Sequence, residues 1–76
     1  MSITVYSTPT CPWCHRVKEY LQSKGIEYKD VNVAEDRAAA MEMIKKSGQT
    51  GVPVVDIDGN IIVGFDQYRI DSLLKI

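Results

Sequence analysis

Four short apolar runs alternate with three amphipathic stretches along this chain, in the order β-α-β-α-β-β-α. Ile3-Thr4-Val5-Tyr6 has the β-branched and aromatic composition of a strand, and Ser7-Thr8-Pro9-Thr10 breaks it. From Pro12 to Lys24, Trp13, Cys14, Val17, Tyr20 and Leu21 recur at helical spacing, with Arg16, Lys18, Glu19 and Gln22 on the other side and Gly25 as the stop. Ile26 to Val33 reads as a second strand. Because a helix intervenes, the first two strands are expected to run parallel through a right-handed crossover. A second helix is predicted over Ala34 to Ser47, with Glu35 and Asp36 at its start, Lys45 and Lys46 at its end and Gly48 beyond. Its predicted core face is Ala40, Met41 and Ile44. Val52 to Ile57 and Asn60 to Val63 flank Asp58-Gly59, a two-residue hairpin signal, so they pair antiparallel. Asp66 then caps a helix running from Gln67 to the C-terminus. Phe65 and Ile70 are spaced as a hydrophobic staple, and Ile70, Leu73 and Leu74 face the sheet.

With 76 residues, 45% of them hydrophobic, the chain is expected to form one domain over 1–76 with one modest core. Nine Lys plus Arg balance ten Asp plus Glu without a basic run, which argues against a nucleic-acid partner. Residues 1–10 lack the pattern of a secretory leader, and no apolar stretch approaches the ~18 residues of a membrane span. The expectation is a soluble, cytoplasmic monomer, in a compartment where thiols stay reduced.

That compartment sharpens the meaning of Cys11-Pro12-Trp13-Cys14, which contains the only two cysteines. The pair sits where strand pattern gives way to helix pattern. The unpaired amides and dipole of a helix starting at Pro12 favour the Cys11 thiolate over the thiol, and proline suits that first helical position. Cys14, one turn on, is placed to close a small disulfide ring. Cys11 is therefore the expected nucleophile and Cys14 the resolving thiol. A structural zinc site needs about four ligands, whereas the only other candidate is His15, which points elsewhere on the helix. A purely structural disulfide would close too short a loop to stabilise much. Trp13 is read either as a contact for partner proteins or as a cover for the cysteines.

The order of elements, Cys-Pro-Trp-Cys at the head of the first helix, Gly51-Val52-Pro53 opening the third strand, and Val63-Gly64-Phe65-Asp66 before the last helix together resemble a glutaredoxin of the thioredoxin-fold superfamily, over essentially the whole chain. The resemblance implies an α/β fold, a four-stranded mixed sheet flanked by three helices, with a cis bond between Val52 and Pro53 beside the cysteines. From the residues alone, Pro53 also reads as a plain strand-start proline. The resemblance further implies a thiol–disulfide oxidoreductase with no tightly bound cofactor, using glutathione as reductant and co-substrate, and acting on protein disulfides and glutathionylated proteins. Glutathione would lie along Gly51, Val52 and Pro53 and reach Gly64, with its γ-glutamyl end at Asp66 and Gln67. Gln49 and Lys18 are weaker candidates for its glycyl carboxylate. Asp66 reads equally well as a helix cap alone.

Three positions depart from the common pattern: Thr8 in place of a lysine, Gly51 in place of threonine, and Val63 in place of the first of two glycines. These departures bring in two alternatives: a redoxin reduced by thioredoxin reductase that feeds an enzyme such as ribonucleotide reductase, and, more remotely, an iron–sulfur carrier. Pro12 argues against the carrier, because a stiff dipeptide favours an internal disulfide over an open ligand.

Overall fold

In the computed structural model, which describes residues 2–75, the elements follow the predicted order: β1 (Ile3–Ser7), α1 (Pro12–Ser23), β2 (Lys29–Asn32), α2 (Arg37–Ser47), β3 (Val54–Ile57), β4 (Asn60–Val63) and α3 (Gln67–Leu74). The strands form one mixed sheet in the order β2-β1-β3-β4, with β1 parallel to β2 and both remaining pairs antiparallel. Register and pleat then divide the core. Val5, Val55 and Ile62 stand opposite one another across β1, β3 and β4 and pack with Val17 and Leu21 of α1 and Ile70 of α3. Tyr6 and Val54, one residue out of phase, pack on the other face with Ala39 and Met43 of α2. The result is a three-layer α/β domain with α1 and α3 on one face and α2 on the other.

The expected punctuation explains most boundaries. Asp66 accepts the Arg69 N–H at 3.1 Å as the cap of α3, and Phe65 and Ile70 join the same core cluster, as a staple requires. Asp58 and Gly59 both take positive φ, +50° and +91°, the combination that a tight hairpin turn needs. Ile76, to which the last helix was expected to extend, lies outside the described residues.

Three expectations shift. The second strand is only Lys29–Asn32, because Ile26 still donates to the Leu21 carbonyl at 3.0 Å and finishes the end of α1. The third starts at Val54: Pro53 has no N–H for the ladder, and its bond to Val52 is cis. Helix α2 starts at Arg37, not Ala34. Asn32 holds the preceding turn through Ala34, Glu35 and Asp36, and Asp36 caps the helix by accepting from Ala39 at 3.0 Å. Its buried stripe is Ala39 and Met43; Ile44 is partly buried beside it, and Met41 is 62% exposed. The stripe is thus one residue out of phase with the expected Ala40, Met41 and Ile44.

Two substitutions test this packing. Ile70→Ala empties a fully buried site and should lower unfolding free energy by about 2–5 kcal/mol in urea titrations. Met41→Ala should change it by less than about 0.5 kcal/mol; a comparable loss there would return Met41 to the core.

Candidate active site

β1 ends at Ser7 and the chain turns through Thr8–Thr10, where the Cys11 N–H donates to the Thr8 carbonyl at 3.4 Å. Cys11 is the N-cap of α1, in extended backbone geometry, and its Sγ accepts the Cys14 N–H at 3.1 Å. A sulfur thus occupies the position that a capping oxygen usually fills, and negative charge on it gains from the same amide. Pro12 follows at the first helical position, where no amide is lost. The Cys11 thiol also lies 3.9 Å from the Val52 carbonyl, so the loop before β3 meets the head of α1 at this atom.

The two thiols, both free, sit in different surroundings. Cys11 is half-buried, whereas Cys14 is fully buried against the sheet. Burial first, then the contact with Cys11, pushes the Cys14 thiol up to about 11, with the Thr8 backbone and then the Lys18 charge pulling the other way. A thiol held protonated is inert, so Cys14 waits while Cys11 faces solvent.

The difference between folded and unfolded Cys14 has a pH consequence. Between about pH 9 and 11 the unfolded chain releases a proton that the folded chain keeps, so this contribution to stability is complete below pH 9 and is lost as pH rises through 11. Urea midpoints of the reduced protein should fall over this window, and fall less in Cys14→Ser. Equal falls in the two proteins would show that the buried thiol is not the titrating group.

Trp13, Val52, cis-Pro53, Gly64 and Phe65 line a groove of about 230 Å³, which Cys11 meets through the contact of its Sγ with the Val52 carbonyl. Gly64 has φ +79° and donates to the Pro53 carbonyl at 2.8 Å, which ties the end of β4 to the cis bond. Trp13 is 56% exposed, with its ring tilted against Phe65 at 6.5 Å and the Arg16 guanidinium 4.9 Å above it. His15 points away, its Nε2 2.9 Å from the Pro9 carbonyl.

The other expected binding residues are placed less directly. Asp66 spends one oxygen on the α3 cap, and Gln67 lines a larger trough on the far side of Phe65, with Pro12, His15 and Arg16. Gly51 is held by Gln49, whose amide oxygen accepts the Gly51 N–H at 2.5 Å and whose nitrogen donates to the Gly51 carbonyl at 3.0 Å. A Cβ at position 51 would come within 2.7 Å of that Gln49 oxygen, so glycine is what lets the side chain fold back. Lys18 is paired with Asp30 at 2.9 Å. The sequence reading missed two features of the site. Phe65 serves as groove wall as well as staple, and Arg16 caps the Trp13 ring; the i, i+3 spacing of Trp13 and Arg16 is the signal that could have shown the latter.

A capped, half-exposed cysteine, a buried second cysteine one turn on, and a cis-proline loop beside them, on a four-stranded sheet with three helices, define a thioredoxin-fold thiol–disulfide oxidoreductase. The glutaredoxin family model matches residues 3–62, and the chain belongs to the glutaredoxin family. It is 59% identical over 73 residues to an uncharacterized glutaredoxin-like 8.6 kDa protein in the rubredoxin operon of Clostridium pasteurianum, covering 96% of this chain and 97% of that one. To glutaredoxin 3 of Escherichia coli K12 it is 40% identical over 72 residues, covering 93% and 87%. Among solved structures, a mutant of a thioredoxin-like protein superposes with a TM-score of 0.93 at 35% identity, covering 99% and 96%. The glutaredoxin-like NrdH-redoxin of Escherichia coli, described as having a thioredoxin-like activity profile, superposes with a TM-score of 0.80 at 26% identity, covering 100% and 95%.

Proposed function

We propose that this redoxin is a glutathione-dependent reductase of protein disulfides and of glutathione mixed disulfides, working as a cytoplasmic monomer. The carrying observation is the Cys11 sulfur, capped by the Cys14 amide and in contact with the carbonyl of Val52, which with cis-Pro53 lines the adjoining groove. An extended thiol peptide laid along that backbone would bring its own sulfur to Cys11. Cys11 thiolate attacks the substrate disulfide, forming a mixed disulfide and expelling the first thiolate. For a protein disulfide, Cys14 then displaces the second substrate sulfur and leaves the Cys11–Cys14 disulfide, which two glutathiones reduce, yielding glutathione disulfide. For a glutathione adduct, Cys11 takes the glutathionyl group and a second glutathione removes it directly.

One observation favours a second reading, a redoxin fed by thioredoxin reductase. The two side chains suggested for the glycyl carboxylate are committed internally, Gln49 to Gly51 and Lys18 to Asp30, and Thr8 supplies no cation. The likeness to NrdH-redoxin points the same way. One comparison separates the two. NADPH consumption is followed with glutathione plus glutathione reductase, then with thioredoxin reductase alone. Turnover in the first mixture is the expected result. Turnover confined to the second would replace the glutathione reading.

A further inference from the structure

Cys14 has to change from an inert thiol into a nucleophile during the cycle, and the chain carries a cation on the same helix to assist. Lys18 is one turn beyond Cys14 on α1, so the two side chains share a face. Its side chain is only 17% exposed, with the ammonium fixed 2.9 Å from Asp30. Register sets Asp30 opposite Val5, on the α1 face of the sheet, where its other oxygen accepts from the buried Ser7 hydroxyl at 2.9 Å. An exposed ion pair contributes about 0–1 kcal/mol to stability. The distinctive effect of this one is to hold a cation in place beside a buried thiol.

We propose that Lys18, held by Asp30, is a positioning residue for the resolving step: it favours ionised Cys14 while Cys11 is tied up in the mixed disulfide. The inference rests on the exchange proposed above. The step balances as Cys14–SH plus Cys11–S–S–R giving Cys11–S–S–Cys14 plus R–SH. The Cys14 sulfur bonds to the Cys11 sulfur, the Cys11–substrate bond breaks, and the Cys14 proton passes through solvent to the leaving thiolate. Once Cys11 is bonded to substrate it carries no charge, so its upward push on Cys14 is gone. Burial, opposed by the Thr8 backbone and by the Lys18 charge, then decides how readily the thiol ionises, and of the two opposing groups Lys18 is the side chain that substitution can remove.

The loop presents Thr8 backbone and Cys11, α1 presents Lys18, β2 presents Asp30 behind it, and β1 the neutral Ser7. Asp56 of β3 and Glu42 of α2 turn to Lys46 on the opposite face, and in α3 Asp71 pairs with Tyr20 while Asp66 caps the helix.

Stopped-flow reaction of the reduced protein with dithiobis(nitrobenzoate) tests this directly. Cys11 releases a first nitrothiobenzoate and Cys14 releases a second. Lys18→Met removes the charge that favours the Cys14 thiolate; because nucleophilicity rises less steeply than the thiolate fraction falls, the second phase slows near neutrality, by about threefold for each tenfold loss of thiolate. In strongly alkaline solution the order reverses, because both proteins are then ionised and the variant thiolate is the more nucleophilic. Lys18→Arg should restore the original profile, and urea titration checks that each variant is folded. A second phase in Lys18→Met that matches the unaltered protein, or is slowed by one factor at every pH, overturns the inference. Absence of the first phase in the unaltered protein overturns the exchange reading itself.

Discussion

Serine at position 11 should reduce turnover of both protein disulfides and glutathione adducts to background, a loss of about a thousandfold or more, without loosening the fold. The attacking species in disulfide exchange is a thiolate sulfur, and a serine hydroxyl offers no comparable nucleophile. The structural side of the prediction is equally specific. Cys11 caps α1 through its Sγ, and serine is among the best capping residues, so its Oγ can take over the Cys14 N–H. Thermal melting of Cys11→Ser should therefore match or exceed that of the reduced parent. An inactive variant of undiminished stability isolates the missing nucleophile. Substantial turnover in it would remove the mechanism, because Cys14 is buried and cannot be reached by a protein disulfide from outside.

How much of this was legible beforehand follows from the kind of physics involved. Local signals suffice where a single residue dictates a conformation: Asp66 as cap, Asp58-Gly59 as hairpin, Pro12 at the head of α1, Gly25 past its end with φ +68°. The Cys11–Cys14 pair was legible for the same reason, since helix spacing alone sets one sulfur over the other's amide. Tertiary choices were not. Which stripe of α2 meets the sheet is set by packing between elements, and it is Ala39 and Met43 that are buried there while Met41 is exposed. The cis bond at Pro53 came from family likeness, since proline identity alone leaves both isomers open. Pairing of Lys18 with Asp30 joins residues on different elements through strand register, and Gln49 folds back only because position 51 lacks a Cβ. Both redirect side chains that looked available for a ligand.

Serine at position 14 should divide the two substrate classes. Glutathione-adduct reduction should stay within about threefold of the parent, whereas protein-disulfide reduction should fall about a hundredfold or more. The reasoning is kinetic. A thiol one helical turn from the mixed disulfide acts at an effective concentration far above that of millimolar external thiol, so its removal leaves each protein substrate tethered to Cys11. A glutathione adduct leaves only a glutathionyl group on Cys11, and the half-exposed Cys11 sulfur remains open to a second glutathione. Non-reducing electrophoresis should accordingly show the variant trapped in covalent complexes with disulfide substrates, which dissolve on adding dithiothreitol. The substitution places a hydroxyl in a site with no solvent and should cost on the order of 1–3 kcal/mol, so urea titration has to accompany the assays. If both activities fall together while the protein remains folded, Cys14 is needed before resolution. The amide it presents to Cys11, which serine also carries, could not then be its whole contribution to the first attack.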